Sequence, residues 1–211
     1  MRNHTIVIGY GTKGKTAVAA ILGDGAARGE VIIVDTDRSA LDNAEAAGLV
    51  TVNGDATKFD VLRLAGAQNA ASIIVATNRD DTAALVTLTA REIAPKATIV
   101  ASIREAENQH LLRQSGADSV VVSSETAGRL LGLATTTPHV VAMIDDLLTP
   151  DGGLAIAERE VEQVEVGGSP RHLNDIVLGV VRDGNLIRID DPQADAIEVA
   201  DRLMYIKSAG H

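Results

Sequence analysis

Six short apolar runs, rich in β-branched residues, alternate with helix-like segments along the first 124 residues of this chain. The runs are Thr5–Gly9, Val31–Asp35, Val50–Asn53, Ser72–Ala76, Thr98–Ile103 and Ser119–Ser123. Each run is almost continuously apolar, which is typical of parallel strands that helices cover on both faces. The segments between them, roughly 13–23, 38–47, 58–65, 80–93 and 105–115, carry apolar residues at helical spacing. This alternation predicts an α/β fold with a Rossmann-like, doubly wound parallel sheet.

The alternation stops after Ser123. A helix is predicted over Glu125–Thr136, ending before the helix breaker Pro138. Further on, two alternating strands flank an Asp183-Gly184 pair, which is typical of a tight hairpin turn. We therefore predict a Rossmann-like domain at 1–124, a helix and linker at 125–138, and a small α+β domain at 139–211.

The composition excludes several classes of function. The chain has no cysteine, so disulfides, thiolate metal sites and cysteine nucleophiles are excluded. A net charge of −10 and an aromatic content of 1% argue against nucleic-acid binding, which needs basic patches and stacking platforms. No apolar stretch approaches the roughly 18 residues that span a bilayer, and nothing resembles a signal peptide. We expect a cytoplasmic protein that does not itself insert into the membrane.

The first strand is followed by a glycine-rich loop. It reads Gly9, Tyr10, Gly11, Thr12, Lys13 and Gly14, which fits the pattern G-x-G-x-x-G between a strand and a helix. The first glycine permits a tight turn, the second lets the backbone approach a phosphate, and the third lets the helix pack against the strand. The loop therefore predicts a nucleotide site, in which Lys13 can add a positive charge.

The second strand ends at Asp35, where an acidic residue accepts hydrogen bonds from a ribose diol. Helix capping, the alternative role, suits the following Asp37 better than Asp35. Thr36 belongs to the same predicted set of nucleotide contacts. Arg38 either lies near an adenine or a 2′-phosphate, or is a solvated charge at the start of a helix.

Two further strand ends carry polar residues, in "NGDAT" (53–57) and "ATNRDD" (76–81). Ligands of open α/β sheets bind beyond the carboxyl ends of the strands. We expect Asp55 and Ala56 at the adenine, and the floor of the pocket at Ala76, Thr77 and Asn78. Helix capping remains the alternative for the polar members of both groups.

Several stretches occur together and in the order found in a known family. They are "HTIVIGYGTKG", "VIIVDTD", "NGDAT", "SIIVATNRDDTAALVTLTAREIAPKATIVASI", "LLRQSGADSVVVSSETAGRLL" and "VGGSPRHLNDIVLGVVRDG…DRLMYIK". The chain resembles RCK (regulator of K⁺ conductance) proteins, also described as a Trk N-terminal plus C-terminal domain pair.

That resemblance implies a cytoplasmic, ligand-sensing gating module held at the inner face of the membrane by a K⁺ channel pore, or alternatively a separate Trk/Ktr-type transporter subunit. It also implies homodimers that assemble into an octameric ring. The implied ligand is an adenine nucleotide, NAD or NADH or else AMP, ADP or ATP, which is bound but not consumed.

The chain departs from the family in two places. Many members carry an arginine in the glycine loop, where this chain has Thr12 and Lys13, so a triphosphate is less secure than an adenosine or dinucleotide ligand. Calcium-gated members place carboxylates after the fourth and fifth strands; Asp80 fits the first position, whereas Arg104 follows the fifth strand and repels a cation. Arg104 instead resembles the phosphate-contacting arginine of the family.

A divalent cation is implied at one further position. Glu125 matches a glutamate that helps to hold a cation near the phosphates in some relatives, although a glutamate in the first turn of a helix also interacts favourably with the helix dipole. The helix that Glu125 opens carries Leu130, Leu131 and Leu133 with little charge, which predicts a partner surface.

The alternative class of function is a small NAD(P)-dependent oxidoreductase, which the glycine loop and Asp35 alone would also fit. Such an enzyme needs a residue that handles protons beside a hydride-acceptor site. His4, His110 and His139 are scattered along the chain, and we expect them to be surface or capping residues. We therefore predict a protein that is not an enzyme.

Overall fold

The computed structural model describes residues 2–149 and 153–208. The chain divides into two compact units, Met1–Thr136 and Thr137–His211. The first unit contains β1 (Thr5–Ile8), α1 (Thr12–Gly23), β2 (Val31–Asp35), α2 (Arg38–Ala46), β3 (Val50–Asn53), α3 (Phe59–Leu64), β4 (Ser72–Val75), α4 (Asp80–Ile93), β5 (Thr98–Ile103), α5 (Gln109–Gln114), β6 (Ser119–Val122) and α6 (Ser123–Thr136).

The six strands of the first unit form one parallel sheet in the order β3-β2-β1-β4-β5-β6. This order confirms the predicted Rossmann-like sheet, in which the chain direction across the sheet reverses beside β1. At that point β1 and β4 are neighbours, with Ile8 paired to Val75. Their carboxyl ends therefore open into a crevice between the loops that follow them.

Helices cover both faces of this sheet, which explains why the strands are almost continuously apolar. On one face, Ile6 and Ile8 pack in a buried cluster that includes Leu62 of α3 and Leu112 of α5. On the opposite face, Val7 packs with residues of α1 and α2. Alternate residues of β1 thus belong to two separate apolar layers.

The second unit contains α7 (Pro138–Leu148), β7 (Leu154–Glu160), β8 (Ile176–Arg182), β9 (Asn185–Arg188) and β10 (Arg202–Ser208). Its sheet has the order β7-β10-β8-β9, and its pairs are antiparallel. Asp183 and Gly184 connect β8 to β9 with positive φ angles of 50° and 76°. The predicted hairpin turn is therefore confirmed, as is the small α+β architecture.

Two local expectations differ from the structure. Helix α6 begins at Ser123, two residues earlier than predicted, because β6 runs directly into it. His4 was expected at the surface or at a helix cap. It is completely buried, so the surface alternative was wrong, and its ring lies against Ala65, the C-cap residue of α3. Its Nε2 lies 3.0 Å from the carbonyl oxygen of Ala65, which places the ring in the core rather than at a site. Among the described residues, no helix combines the length and apolar character needed to cross a membrane.

Candidate functional site

The three glycines of the loop have different structural roles. Gly9 has a φ of +93°, and a Cβ there would lie 2.9 Å from the carbonyl oxygen of Ala76. A Cβ at Gly14 would lie 1.9 Å from the carbonyl oxygen of Gly9, so α1 can approach the loop only if this residue has no side chain. A Cβ at Gly11, in contrast, would meet no atom within 4 Å. Gly11 therefore faces open space at the start of α1.

The start of α1 is an anion-binding element. Gly11 is the N-cap residue of α1, and because glycine has no side chain, no side-chain cap satisfies the backbone N–H groups of the first turn. The first N–H groups of a helix have no intrahelical acceptor, and the helix dipole adds a partial positive charge there. The first turn also contains no acidic side chain. These features together suit a phosphate group.

Asp35 connects the end of β2 to the glycine loop. Its Oδ2 accepts a hydrogen bond of 2.7 Å from the backbone N–H of Tyr10, and its Oδ1 accepts one of 2.9 Å from the backbone N–H of Asp37. Each carboxylate oxygen retains further acceptor capacity. The two hydrogen bonds hold the carboxylate at a fixed position on the wall of the crevice, where a ribose hydroxyl can donate to it.

A cavity of about 240 Å³ lies in this crevice. Nine residues of the predicted set line it: Gly9, Gly11, Asp35, Thr36, Asp55, Ala56, Ala76, Thr77 and Asn78. The other lining residues are Ile8, Val34, Gly54, Arg79, Thr82 and Val86, which the sequence analysis did not select. The apolar members give the cavity an aliphatic wall, and the polar members sit at the strand ends.

The residues that the sequence analysis missed have recognisable signals. Ile8 and Val34 are strand residues directly before the loops that carry the site, and Thr82 and Val86 are one helical turn apart on α4. Arg79 follows β4 and pairs with Asp81 through two contacts of 3.0 and 2.6 Å. Only the assembled sheet places α4 beside the glycine loop, so Thr82 and Val86 could not be selected from local sequence.

Asp55 is held in a turn of its own. Its Oδ1 accepts hydrogen bonds from the backbone N–H of Thr57 at 2.9 Å and from the Thr57 hydroxyl at 2.8 Å. These two hydrogen bonds keep the pKa of Asp55 below its usual value, so the side chain is an anionic acceptor at neutral pH. Its Oδ2 has no hydrogen-bond partner among the described residues and is available to an amino group in the cavity.

Seven of the predicted nucleotide contacts do not line this cavity: Tyr10, Thr12, Lys13, Gly14, Asp37, Arg38 and Arg104. Tyr10 is 7% exposed, and its ring packs in the cluster beneath α1 and α2. Asp37 caps α2, accepting a hydrogen bond from the backbone N–H of Ser39. The Arg38 guanidinium pairs with Asp42 at 3.0 Å, as expected for a solvated charge at the start of a helix. Thr12 lies in the first turn of α1, beside Gly11.

Lys13 reaches away from this cavity and across the sheet. Its Nζ donates to the carbonyl oxygen of Thr77 at 2.8 Å and to Oγ of Ser102 at 3.2 Å. Burial and the positive charge of Arg104 lower the pKa of Lys13, while the carboxylate of Asp80 acts in the opposite direction. The side chain thus extends from α1 over the end of β4 to β5.

Asp80, the first residue of α4, fastens the loop that follows β5. Its Oδ1 accepts from the backbone N–H of Arg104 at 2.9 Å, and its Oδ2 accepts from the Glu105 N–H and the Asn108 side chain at 3.0 and 2.9 Å. Burial raises the pKa of Asp80, but these three hydrogen bonds and the charge of Lys13 outweigh it, so the pKa is lowered. The ionised carboxylate of Asp80 therefore stabilises the loop that follows β5.

The described residues contain no group of three or more histidine, aspartate or glutamate side chains that could hold a metal ion. Glu125, the other residue expected to contact a cation, pairs with Arg129 of the same helix at 2.9 Å. Asp80 and Glu125 are not brought together into a common cluster. A cation bound at Asp80 or at Glu125 would therefore need most of its ligands from groups other than these two carboxylates.

The match to a family decides the identity of the first unit. The family model described as the TrkA-N domain matches residues 5–123, from β1 to the start of α6. The chain belongs to the TrkA-N domain family. The matched segment contains the whole parallel sheet and every residue that lines the 240 Å³ cavity. In this TrkA-N domain the glycine loop and the ends of β2, β3 and β4 therefore form the candidate site.

Proteins similar to this one include a channel and structures of a channel domain. The chain is 26% identical over 168 residues to Potassium channel protein 1 of Methanocaldococcus jannaschii, covering 79% of this chain and 50% of the channel. It is 26% identical to the GsuK RCK domain, with a TM-score of 0.58, covering 98% of this chain and 44% of that one. The GsuK channel bound to NAD is 25% identical, with a TM-score of 0.54, covering 98% of this chain and 36% of that one. GsuK bound to ADP is 28% identical over 65% of this chain and 35% of that one, with a TM-score of 0.58. The TrkA-N domain and the unit that follows it thus span half or less of these relatives.

Proposed function

We propose that this chain is a ligand-sensing regulatory module that binds an adenine nucleotide at the glycine loop and controls potassium flux through a membrane channel. The observation that carries the proposal is the cavity beside Gly11, where open space faces the N-terminus of α1. In this proposal the phosphates bind the first turn of α1, and the ribose donates to Asp35. The adenine lies against the aliphatic wall, with its amino group near Asp55.

The ligand acts by binding and is released unchanged. A ligand shifts a conformational equilibrium only through its different affinities for the two states, and coupling of about 1–3 kcal/mol per site is typical of allosteric proteins. A ring with several sites would multiply this small bias. A channel pore and a transporter would both suit such a module as the membrane partner. The similarity to Potassium channel protein 1 favours a channel pore.

Calorimetric titration with NAD⁺, NADH, AMP, ADP and ATP tests the binding step. We expect at least one of these nucleotides to bind, and the recovered nucleotide to be chemically unchanged. Gly11→Asp should abolish binding, because its carboxylate would occupy the phosphate position and repel the ligand. Gly29→Asp is the matched control, because a Cβ at Gly29 also meets no atom within 4 Å. Flat titrations of the folded wild-type protein with all five nucleotides would overturn the proposal.

Potassium flux from liposomes tests the regulatory step. The chain is reconstituted with a potassium channel pore and assayed with and without the tightest nucleotide. We expect the nucleotide to change the flux of the wild type and of Gly29→Asp, and to leave the flux of Gly11→Asp unchanged. If the potassium flux did not change with any nucleotide that binds, the cavity would have no regulatory role.

A divalent cation at Glu125 is part of the same proposal. A single carboxylate is a weak ligand for a hard cation, so the phosphates would have to supply further oxygen atoms. We expect Mg²⁺ to strengthen the binding of ATP to the wild type and to have a smaller effect on Glu125→Gln. Equal effects of Mg²⁺ on both proteins would place the cation elsewhere.

A further inference from the structure

The first residue of α4 holds the loop that follows β5. Oδ1 of Asp80 accepts a hydrogen bond of 2.9 Å from the backbone N–H of Arg104, and Oδ2 accepts one of 3.0 Å from the backbone N–H of Glu105. Oδ2 also accepts a hydrogen bond of 2.9 Å from the side chain of Asn108. Two successive N–H groups of the loop are thus bonded to one carboxylate.

The first two residues of α6 hold the same loop. The hydroxyl of Ser123 donates a hydrogen bond of 3.0 Å to the carbonyl oxygen of Ile103. The hydroxyl of Ser124 donates to the next carbonyl oxygen along the chain, that of Arg104. None of the residues of α6 is buried in its own unit, so packing against that unit restrains the helix only weakly. The direction of α6 therefore depends strongly on these two hydroxyl groups.

The hydrogen bonds form two bridges between α4 and α6, each through a single peptide group. The C=O of Ile103 and the N–H of Arg104 belong to one peptide group, which connects Ser123 to Asp80. The peptide group between Arg104 and Glu105 connects the second serine to the same carboxylate. An anionic acceptor at the N–H of a peptide group polarises it and makes its C=O a stronger acceptor. The charge of Asp80 therefore strengthens the bonds that both serines make.

The α4 end of the two bridges lies beside the nucleotide cavity. Asp80 directly follows Asn78 and Arg79, which line the 240 Å³ cavity, and Arg79 is the N-cap residue of α4. A ligand that contacts these two residues bears on the start of α4. It therefore bears on the carboxylate that holds the loop.

We infer that Asp80 is a positioning residue, which sets the direction of α6 through the two bridges and makes that direction depend on the occupant of the nucleotide cavity. The dependence on the occupant rests on the proposed function, since it concerns the same nucleotide site. Leu131 on α6 is 71% exposed. A change in the direction of α6 would therefore move an apolar surface that a second copy of the chain can cover.

Distances between two spin labels test the positioning role. The chain has no cysteine, so Lys96→Cys and Ala134→Cys introduce exactly one label site in the exposed turn before β5 and one on α6. Dilution with unlabelled protein isolates the distance within one chain. We expect one narrow distribution of distances for the labelled wild type, because the bridges hold α6 in one direction.

Asp80→Asn removes the charge and one acceptor from both bridges. The share of the wild-type distance relative to all other distances should fall about tenfold, a factor within the range for the loss of one or two hydrogen bonds. Asp81→Asn is the matched control, because Asp81 pairs with Arg79 and not with the loop. It should keep the wild-type distribution. An Asp80→Asn protein with the wild-type distribution overturns the inference.

Replacing both serines with alanine breaks the bridges at their α6 end. Ser123→Ala with Ser124→Ala should broaden the distribution as Asp80→Asn does, and threonine at both positions, which keeps both hydroxyls, should restore it. Thr126→Ala, whose hydroxyl bonds to the carbonyl oxygen of Val122, is the control and should change nothing. Because the three residues act in the same bridges, adding Asp80→Asn to the two alanines should have little further effect. Additive effects would overturn the inference.

Calorimetry and label distances on the same samples test the dependence on the nucleotide. We expect ADP or NAD⁺ to shift the distance in the wild type, and to bind the double alanine variant without shifting it. A nucleotide that binds the wild type without changing the distance overturns the inference and leaves nucleotide binding standing. Loss of binding by the double alanine variant also contradicts the inference, because the serines would then belong to the nucleotide site. Absence of wild-type binding by all five nucleotides of the titration would instead overturn the proposed function.

Discussion

At the scale of single residues, one glycine of the loop is needed for folding and another for ligand binding. Gly14 is close to the backbone of Gly9, whereas Gly11 faces the open cavity. The same substitution should therefore have opposite consequences at the two positions. Gly14→Ala should lower the free energy of unfolding by at least about 2 kcal/mol, because backbone atoms must move apart. Gly11→Ala should change it by less than about 0.5 kcal/mol and weaken nucleotide binding.

Thermal unfolding and calorimetric titration of the two variants check this pair. Gly29→Ala, at another open position, should change neither property. If Gly14→Ala were as stable as the wild type, α1 would not need to approach the loop so closely, and the reason given for the third glycine would be wrong.

Asp35 is the second residue whose role can be isolated. Asp35→Asn keeps the size of the side chain but replaces one acceptor oxygen with a donor, so it cannot satisfy both backbone N–H groups and a ribose hydroxyl. We expect nucleotide binding to weaken by about 1–3 kcal/mol, the cost of leaving buried hydrogen-bonding groups without partners. Calorimetry with the tightest ligand measures it. Asp37→Asn should bind normally, because asparagine is also a good N-cap residue for α2.

At the scale of secondary-structure elements, α6 has an apolar surface that its own unit does not cover. None of its residues is buried, and Leu131 is 71% exposed. Ser123 at its start donates a hydrogen bond of 3.0 Å to the carbonyl oxygen of Ile103, which attaches the helix to the end of β5. An exposed apolar helix of this kind predicts a partner surface, and a second copy of the chain in the expected homodimer would cover it. The octameric ring stays a prediction.

Leu131→Glu should therefore shift the protein towards the monomer. Burying a charge in an apolar interface is costly, so we expect the dimer dissociation constant to rise at least about tenfold. Light scattering over a range of protein concentrations measures it. Leu64→Glu is the matched control, because Leu64 is 74% exposed but lies on α3. Equal weakening by both variants, or a wild type that is monomeric throughout, would contradict the role of α6.

At the scale of the whole molecule, the two units have separate apolar cores. We expect acid and a bound nucleotide to affect the stability of the two units differently. In the second unit, Arg182 bonds to both carboxylate oxygens of Asp201, at 2.8 and 2.7 Å, and the Asp201 side chain is 1% exposed. The hydrogen bond from Arg182 lowers the pKa of Asp201 despite its burial. This pair connects the end of β8 to the start of β10 through a buried carboxylate.

The pH dependence of the second unit follows from this lowered pKa. An aspartate titrates near pH 3.9 in an unfolded chain, so the pair contributes its full stability above that pH. The contribution is lost as the pH falls through the lower pKa of the folded state. Asp201→Asn should lower the free energy of unfolding by about 2–4 kcal/mol at pH 7 and flatten its decline below about pH 4. Asp190→Asn, whose carboxylate pairs with Arg188 but is 66% exposed, should cost less than about 1 kcal/mol.

Calorimetric unfolding between pH 7 and pH 3 measures this pH dependence. The same measurement with and without a saturating nucleotide shows which unit the nucleotide stabilises. A ligand at a hundred times its dissociation constant stabilises the unit that binds it by about 2.7 kcal/mol. We expect the nucleotide to stabilise the first unit, and acid to destabilise the second. If the nucleotide stabilised only the acid-sensitive transition, the nucleotide would bind the second unit, and the proposed site in the first unit would be wrong.

The sequence by itself determined the features that depend on neighbouring residues. The runs that form the parallel strands, the turn at Gly9 and the hairpin at Asp183-Gly184 are encoded locally, because backbone angles and the alternation of apolar residues act over a few positions. The polar residues at the strand ends also predicted where a ligand would bind. For the same reason, Asp35 and Asp55 could be selected before the fold was known.

Tertiary structure alone decided where the long and buried side chains lie. Lys13 was predicted to add a positive charge to the nucleotide site, and its ammonium group bonds to Thr77 and Ser102, because the sheet order brings the ends of β4 and β5 within reach of α1. His4 was expected at the surface or at a helix cap, and it is buried against Ala65. The partners of these side chains are more than 60 positions away along the chain, so packing, rather than the local sequence, selects them.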